Sequence, residues 1–132
     1  MEALRQWRRL NPWSLRARGR SFIYAGKGVG LLFRQPNACI HLFVTVCVIA
    51  AGIIFGISAT EWCLCALSIG MVFAAEGFNT AIEALADKVS EGFDPLIGKA
   101  KDLAAGAVLL AVGAAVAVGL IIFIPYLIRV FA

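Results

Sequence analysis

A chain of 132 residues that is 61% hydrophobic, with a mean hydropathy of +0.89, is too apolar for a soluble globular domain, where about 45–50% of residues are apolar. The formal net charge is +4, but eight of the twelve Lys and Arg residues precede the first apolar run: Arg5, Arg8, Arg9, Arg16, Arg18, Arg20, Lys27 and Arg34. Composition therefore predicts one all-α integral membrane unit over residues 1–132 and argues against a cleaved signal peptide, since the basic region is long and no convincing cleavage site follows the first run.

Residues 1–19 form a basic segment in which Trp7, Leu10, Trp13 and Leu15 alternate with arginines. Aromatic rings among cations suit the headgroup plane of a membrane. No nucleic-acid-binding motif accompanies the basic residues, so anionic lipid is the expected partner and nucleic acid is not. Asn11-Pro12 interrupts a helix there. Residues 20–35, with Phe22, Tyr24, Val29, Leu31, Leu32 and Phe33, are expected to form an amphipathic surface helix, frayed by Gly26, Gly28 and Gly30 and ending at Pro36.

Three apolar runs follow, at about 40–57, 62–85 and 103–130. Each meets or approaches the roughly 20 residues that cross a bilayer. The link between the first two carries no Lys or Arg, whereas the link between the second and third carries Lys88, Lys99 and Lys101. The positive-inside rule then places the N-terminus and the second link in the cytoplasm of a multi-pass protein of the bacterial inner membrane. Ala and Gly are dense in the third run, from Ala104 to Gly119, and such faces let helices pack closely in lipid, so self-association is expected. Cys39, Cys47, Cys63 and Cys65 have no zinc spacing and read as small buried apolar residues.

The second run ends in Glu76, Asn79, Glu83 and Asp87, at i, i+3, i+7 and i+11, a single stripe on a helix. A charged side chain at the centre of a membrane helix costs about 2.5–3.5 kcal/mol on insertion scales, so such a stripe needs a use. Clustered carboxylates suit holding a divalent cation and moving a proton. Glu76 is the deepest acid, and a desolvated carboxylate suits proton abstraction. The plainer alternatives are a structural carboxylate at Glu76, an interhelical amide at Asn79, and solvated charges at Glu83 and Asp87. Lys99 and Lys101 lie where the third span begins, a helix end that prefers acids, which points to phosphate binding with Asp102 as a local partner; ordinary positive-inside topology is the alternative. The templates of soluble phosphotransferases, GxxxxGK[ST] among them, are absent from the sequence.

The run Glu76-Gly77-Phe78-Asn79-Thr80-Ala81-Ile82-Glu83-Ala84-Leu85-Ala86-Asp87 resembles the signature of the prokaryotic diacylglycerol kinase and undecaprenol kinase family. Lys99-Ala100-Lys101-Asp102 with Leu103 to Val108, and Arg20-Ser21-Phe22 with Ala25 and Lys27-Gly28, resemble two further family segments. The resemblance implies a three-span lipid kinase, working as a homotrimer with ATP and Mg²⁺ on a membrane lipid alcohol, diacylglycerol or undecaprenol, at sites between subunits on the cytoplasmic side. By position it implies Glu76 as the general base, Glu83 as the magnesium ligand, and Asn79 and Asp87 as supporting residues. It also implies Lys101 and Asp102 near the nucleotide, with Arg20 and Tyr24 contributed by the surface helix. Gln35 stands where the family usually has a metal-binding acid, and an amide is a weaker ligand. Two other readings remain open on the residues alone: a non-enzymatic membrane protein, such as a conductor or assembly factor, and an inactive pseudokinase.

Overall fold

The computed structural model describes residues 15–89, 92 and 94–131, apart from the side chains of residues 16 and 17. Four helices follow in order: α1 (Leu15–Leu32), α2 (Pro36–Phe55), α3 (Ala59–Val89) and α4 (Pro95–Phe131). The last three are long and apolar enough to cross a membrane. The interfacial reading of Trp7, Leu10 and Trp13 and the break at Asn11-Pro12 fall outside the described residues.

Local chemistry sets the helix ends. Pro36 does not end α1; it opens α2 at the first helical position, where a missing N–H costs nothing. The surface helix runs 15–32 instead of 20–35, and its three central glycines do not interrupt it. A left-handed Gly56 (φ 63°) closes α2, with the Ile57 amide donating to Gly52 O at 3.2 Å. Ser58 and Glu61 then form a capping box on α3. The Ser58 amide and hydroxyl each donate to Glu61 Oε2 at 2.7 Å, and the Glu61 amide donates to Ser58 Oγ at 3.3 Å. Asp94 caps α4, its Oδ1 accepting from the amides of Leu96 (2.8 Å) and Ile97 (3.3 Å). Capping draws the start of α4 back from 103 to Pro95, so Lys99, Lys101 and Asp102 lie past the helix start. The dipole mismatch expected at Lys99 and Lys101 is thereby removed, because an acid does occupy that terminus.

Helix α3 has 31 residues and α4 has 37, which at 1.5 Å per residue are roughly 46 and 55 Å long, more than a hydrocarbon core of about 30 Å requires. Their polar ends therefore project beyond it. The two pack as an antiparallel pair, tied at one end by Tyr126 Oη donating to Glu61 Oε2 (2.9 Å) and at the other by Lys101 Nζ on Asp87 Oδ1 (3.0 Å). Around the first tie lies the core of Ile57, Cys65 and Ile122, with Phe55 stacked on Tyr126 at 5.9 Å. Helix α2 reaches α3 through Gly52, where a methyl group would stand 2.7 Å from a ring carbon of Trp62.

The buried seam of α3 is Cys65, Ser68, Val72, Glu76, Asn79 and Ala86, the three-and-four spacing of a packed helix face. Most other large apolar side chains are exposed, including Phe43, Ile54, Leu110 and Ile121, as an outward surface meeting lipid requires. Cys39, Cys47 and Cys63 share that outward surface and only Cys65 is buried, so the expectation of four buried cysteines holds for one. With so few helices, most positions on each have no neighbour to cover them.

Candidate active site

Glu76 is 2% exposed, and Asn79, one turn on, is 6% exposed. Both lie on the face of α3 that packs on α4, and the ties at Asp87–Lys101 and Glu61–Tyr126 set a register that brings Glu76 level with the buried Ala111. Small residues on α4 leave room for polar side chains there. Among the described residues, Glu76 Oε2 and Asn79 Oδ1 are the buried side-chain oxygens without a hydrogen-bond partner. A buried acceptor left unpaired costs about 1–3 kcal/mol, and more for a charged group. Two adjacent ones mark a place built to receive donors or a cation.

The other residues of the stripe extend toward the exposed end of α3. Asn79 Nδ2 donates to Glu83 Oε1 at 3.3 Å, which turns the amide oxygen the other way and leaves Glu83 exposed. Asp87 is exposed and paired with Lys101. Asp102, the residue after Lys101 in α4, is exposed. One stripe thus passes from a dry carboxylate at Glu76 to solvated charge at Asp87, a distance of eleven residues or roughly 16 Å along the helix.

The expected partners from the N-terminal side are less closely joined to this stripe. Leu32, the last residue of α1, approaches α3 at Gly77, beside Glu76, and Phe33 lies edge-on to Phe73 at 5.3 Å. Arg20 and Tyr24, further back on α1, are exposed, with the Lys27 ammonium 5.7 Å over the Tyr24 ring. Gln35 is half-buried at the N-cap of α2 and makes no side-chain cap bond.

Among the described residues, no three His, Cys, Asp or Glu side chains form a group able to hold a metal by themselves. Magnesium does not need such a cage: it keeps several waters and takes one or two carboxylates plus substrate phosphates. The exposed Glu83 carboxylate is a hard-oxygen donor suited to such partial coordination.

The sequence reading did not find the Ser58–Glu61–Tyr126 tie. Ser58-Ala59-Thr60-Glu61 carries the S-x-x-E pattern of a capping box, so half of it was open to view. Tyr126 lies 65 positions away and has no local signal.

Residues 23–123 match the family described as prokaryotic diacylglycerol kinase. Over 109 residues the chain is 37% identical to an undecaprenol kinase of Bacillus subtilis, covering 82% of this chain and 89% of that protein. Over 107 residues it is 42% identical to a diacylglycerol kinase of Synechocystis sp., covering 80% of this chain and 61% of that protein. With three helices able to span a membrane and an acidic stripe sunk into one of them, the chain belongs to the prokaryotic diacylglycerol kinase family of membrane lipid kinases.

Proposed function

We propose that this lipid kinase transfers the γ-phosphoryl group of ATP to the hydroxyl of undecaprenol at the cytoplasmic face of the membrane. The observation that carries this reading is the unpaired, 2%-exposed carboxylate of Glu76 next to the unpaired amide oxygen of Asn79. A lipid alcohol brings one O–H donor to that place without leaving the bilayer. Glu76 takes its proton as the oxygen attacks phosphorus, and Asn79 supports the site by donating from Nδ2 to the Glu83 carboxylate. Phosphoryl transfer asks the protein mainly for positioning and for neutralisation of charge. Lys101, held by Asp87, offers an ammonium to the phosphates, Asp102 lies next to it near the nucleotide, and Arg20 and Tyr24 of α1 are the outer contacts to the nucleotide. Mg²⁺, when bound, supplies charge neutralisation to the phosphates; Glu83 is its principal ligand and Gln35 a neutral one.

The lack of Lys or Arg in the link after α2, against Lys88, Lys99 and Lys101 in the link after α3, supports a cytoplasmic N-terminus and a cytoplasmic site. Exposed Ala105, Ala107, Gly113, Ala114 and Ala117 on α4 support close packing of copies, and the family resemblance supports three, with the site completed between subunits. Undecaprenol is favoured as acceptor by the Bacillus relative, which this chain matches over 89% of its length. Diacylglycerol is the second reading, favoured by the 42% identity to the Synechocystis kinase.

The test is purified protein with Mg-ATP and either a polyprenol or a diacylglycerol in mixed micelles. Lipid-dependent ADP release with formation of the lipid phosphate is expected, faster on the polyprenol. Absence of both products would reject the kinase reading, and faster turnover of diacylglycerol would reverse the order of acceptors.

A further inference from the structure

Three residues, Phe33 to Gln35, join the end of α1 to the start of α2, and they form a tightly bonded elbow. The amides of Phe33, Arg34 and Gln35 donate to Val29 O (3.3 Å), Leu31 O (3.1 Å) and Leu32 O (2.9 Å), and the Cys39 amide donates to Gln35 O (3.1 Å). The Cys39 thiol donates to Phe33 O at 3.4 Å. Pro36 fixes the backbone as it enters α2.

The elbow docks on α3 on both sides of Glu76 along the helix. Phe33 meets Phe73 edge-on at 5.3 Å, and His41 meets the same ring edge-on at 6.4 Å. Leu32 reaches Gly77, where an added methyl group would stand 3.9 Å from Leu32 Cδ2. Phe73 and Gly77 are four apart and share one face of α3, turned about 80° round the helix from Glu76. Ala38, one turn before His41 on α2, is 0% exposed, so this corner is closed.

The cover over Glu76 is intramolecular, since a single chain leaves it 2% exposed. Helix α4 presents the small Ala111 at that level, which closes one side of a glutamate and not its flanks. A groove of about 340 Å³ between α3 and α4 runs past Asn79 without including Glu76 in its wall. The large side chains set against the remaining flank are Leu32 and Phe33 of the elbow.

We infer that Phe33, seated on Phe73, is a specificity-determining residue that keeps water from Glu76, so that the base serves a lipid hydroxyl and not a water molecule. The inference rests on the lipid-kinase reading above. A carboxylate base does not itself distinguish one O–H from another. With the lipid alcohol, its oxygen bonds to the γ-phosphorus, the bond to ADP breaks, and the proton passes to Glu76, giving the lipid phosphate. With water in its place, the same steps give inorganic phosphate and waste the ATP. Excluding water from a reacting centre suppresses hydrolysis of this kind. Phe33 is 38% exposed, so truncating it opens the wall without leaving a hole in a closed core.

The experiment uses the full chain with Mg-ATP in mixed micelles. It measures inorganic phosphate released without lipid alcohol and lipid phosphate formed with it, in the parent, Phe33→Ala, Phe73→Ala, Phe33→Leu and Phe43→Ala. Phe33→Ala and Phe73→Ala are expected to raise the ratio of hydrolysis to lipid phosphorylation by about tenfold or more, the scale on which one apolar contact separates two substrates. Phe33→Leu restores an apolar cover and should stay within a few-fold of the parent. Phe43, exposed on α2, is the control, and its alanine variant should match the parent. Lost packing alone would lower both activities together. A parental ratio in Phe33→Ala and Phe73→Ala therefore overturns the inference and leaves the kinase reading standing. An equal rise in Phe43→Ala also overturns it, by showing a general loosening of the bundle. Where Phe33→Ala fails to assemble, Leu32→Ala carries the same expectation and the same refutation. A parent chain that phosphorylates no lipid alcohol overturns both readings.

Discussion

Lys101 Nζ stands 3.0 Å from Asp87 Oδ1, joining α4 to α3 at the polar end of the acidic stripe. Both groups are solvent-accessible, so this pair adds little to stability, and its value lies in where it holds the ammonium. In the proposed function this is the ammonium offered to the nucleotide phosphates.

Replacing Lys101 by Met should therefore raise KM for ATP by at least about tenfold, the loss expected for one charge-assisted contact of 1.5–3 kcal/mol. KM for the lipid should stay near the parental value. Asp87→Asn should give a smaller rise, since the ammonium remains but is less well held. Equal effects on both substrates in steady-state kinetics would show that the pair supports the helix packing and not the nucleotide.

Glu83 is exposed and shares its Oε1 with Asn79 Nδ2 at 3.3 Å. If it holds magnesium, Glu83→Gln should shift the metal titration to concentrations at least about tenfold higher, because a neutral amide is a poorer ligand for a hard cation. A titration that overlays that of the parent would remove Glu83 from the metal site.

Gln35 sits at the N-cap of α2, half-buried and without a cap bond. Gln35→Glu places a negative charge at a helix N-terminus, which contributes roughly 0.3–1 kcal/mol whether or not metal is near. A rise in thermal stability alone would mean that the side chain serves the helix end. Tighter dependence on Mg²⁺, the outcome expected of a residue in the metal site, would appear in the magnesium titration at constant ATP.

At the opposite end, a methyl group on Gly52 would meet the Trp62 ring at 2.7 and 2.9 Å and Ile57 Cδ1 at 3.1 Å. Gly52→Ala should destabilise the bundle by about 1–3 kcal/mol, read as a lower unfolding temperature in detergent. Adding Trp62→Phe should recover part of the loss, since a smaller ring can yield. No recovery would place the strain in the α2 backbone.

The three spans and the acidic stripe were legible in the sequence because hydropathy and helical spacing are local signals. Glu76 declared itself as an acid at i−3 to Asn79 after fourteen uncharged residues, from Trp62 to Ala75, and it is indeed the buried one. Helix ends were less legible. Pro36 read as a stop for α1, yet proline is as suited to a first turn as to a terminus, and here it starts α2. Asp94-Pro95 read as a turn, and its aspartate is also the cap that lengthens α4 past Lys99 and Lys101. Burial of single cysteines was not legible, because apolar residues on a lipid-facing helix carry no mark of which side meets another helix. The Tyr126 bond to Glu61 and the groove beside Asn79 depend on the register of α3 against α4, a property of two distant segments together.

The measurement that bears most directly on the whole account is the lipid-dependent turnover of Glu76→Gln, in protein shown by detergent sizing to assemble like the parent. The glutamine keeps the shape of the side chain and removes its capacity to accept a proton from the acceptor hydroxyl. Loss of a general base typically lowers the rate by about 10²–10⁴-fold, and a fall of that size, with KM for ATP little changed, is the predicted result. Activity within a few-fold of the parent would contradict the account, because the carboxylate buried in the α3 seam would then be a structural group and the base would have to be sought elsewhere.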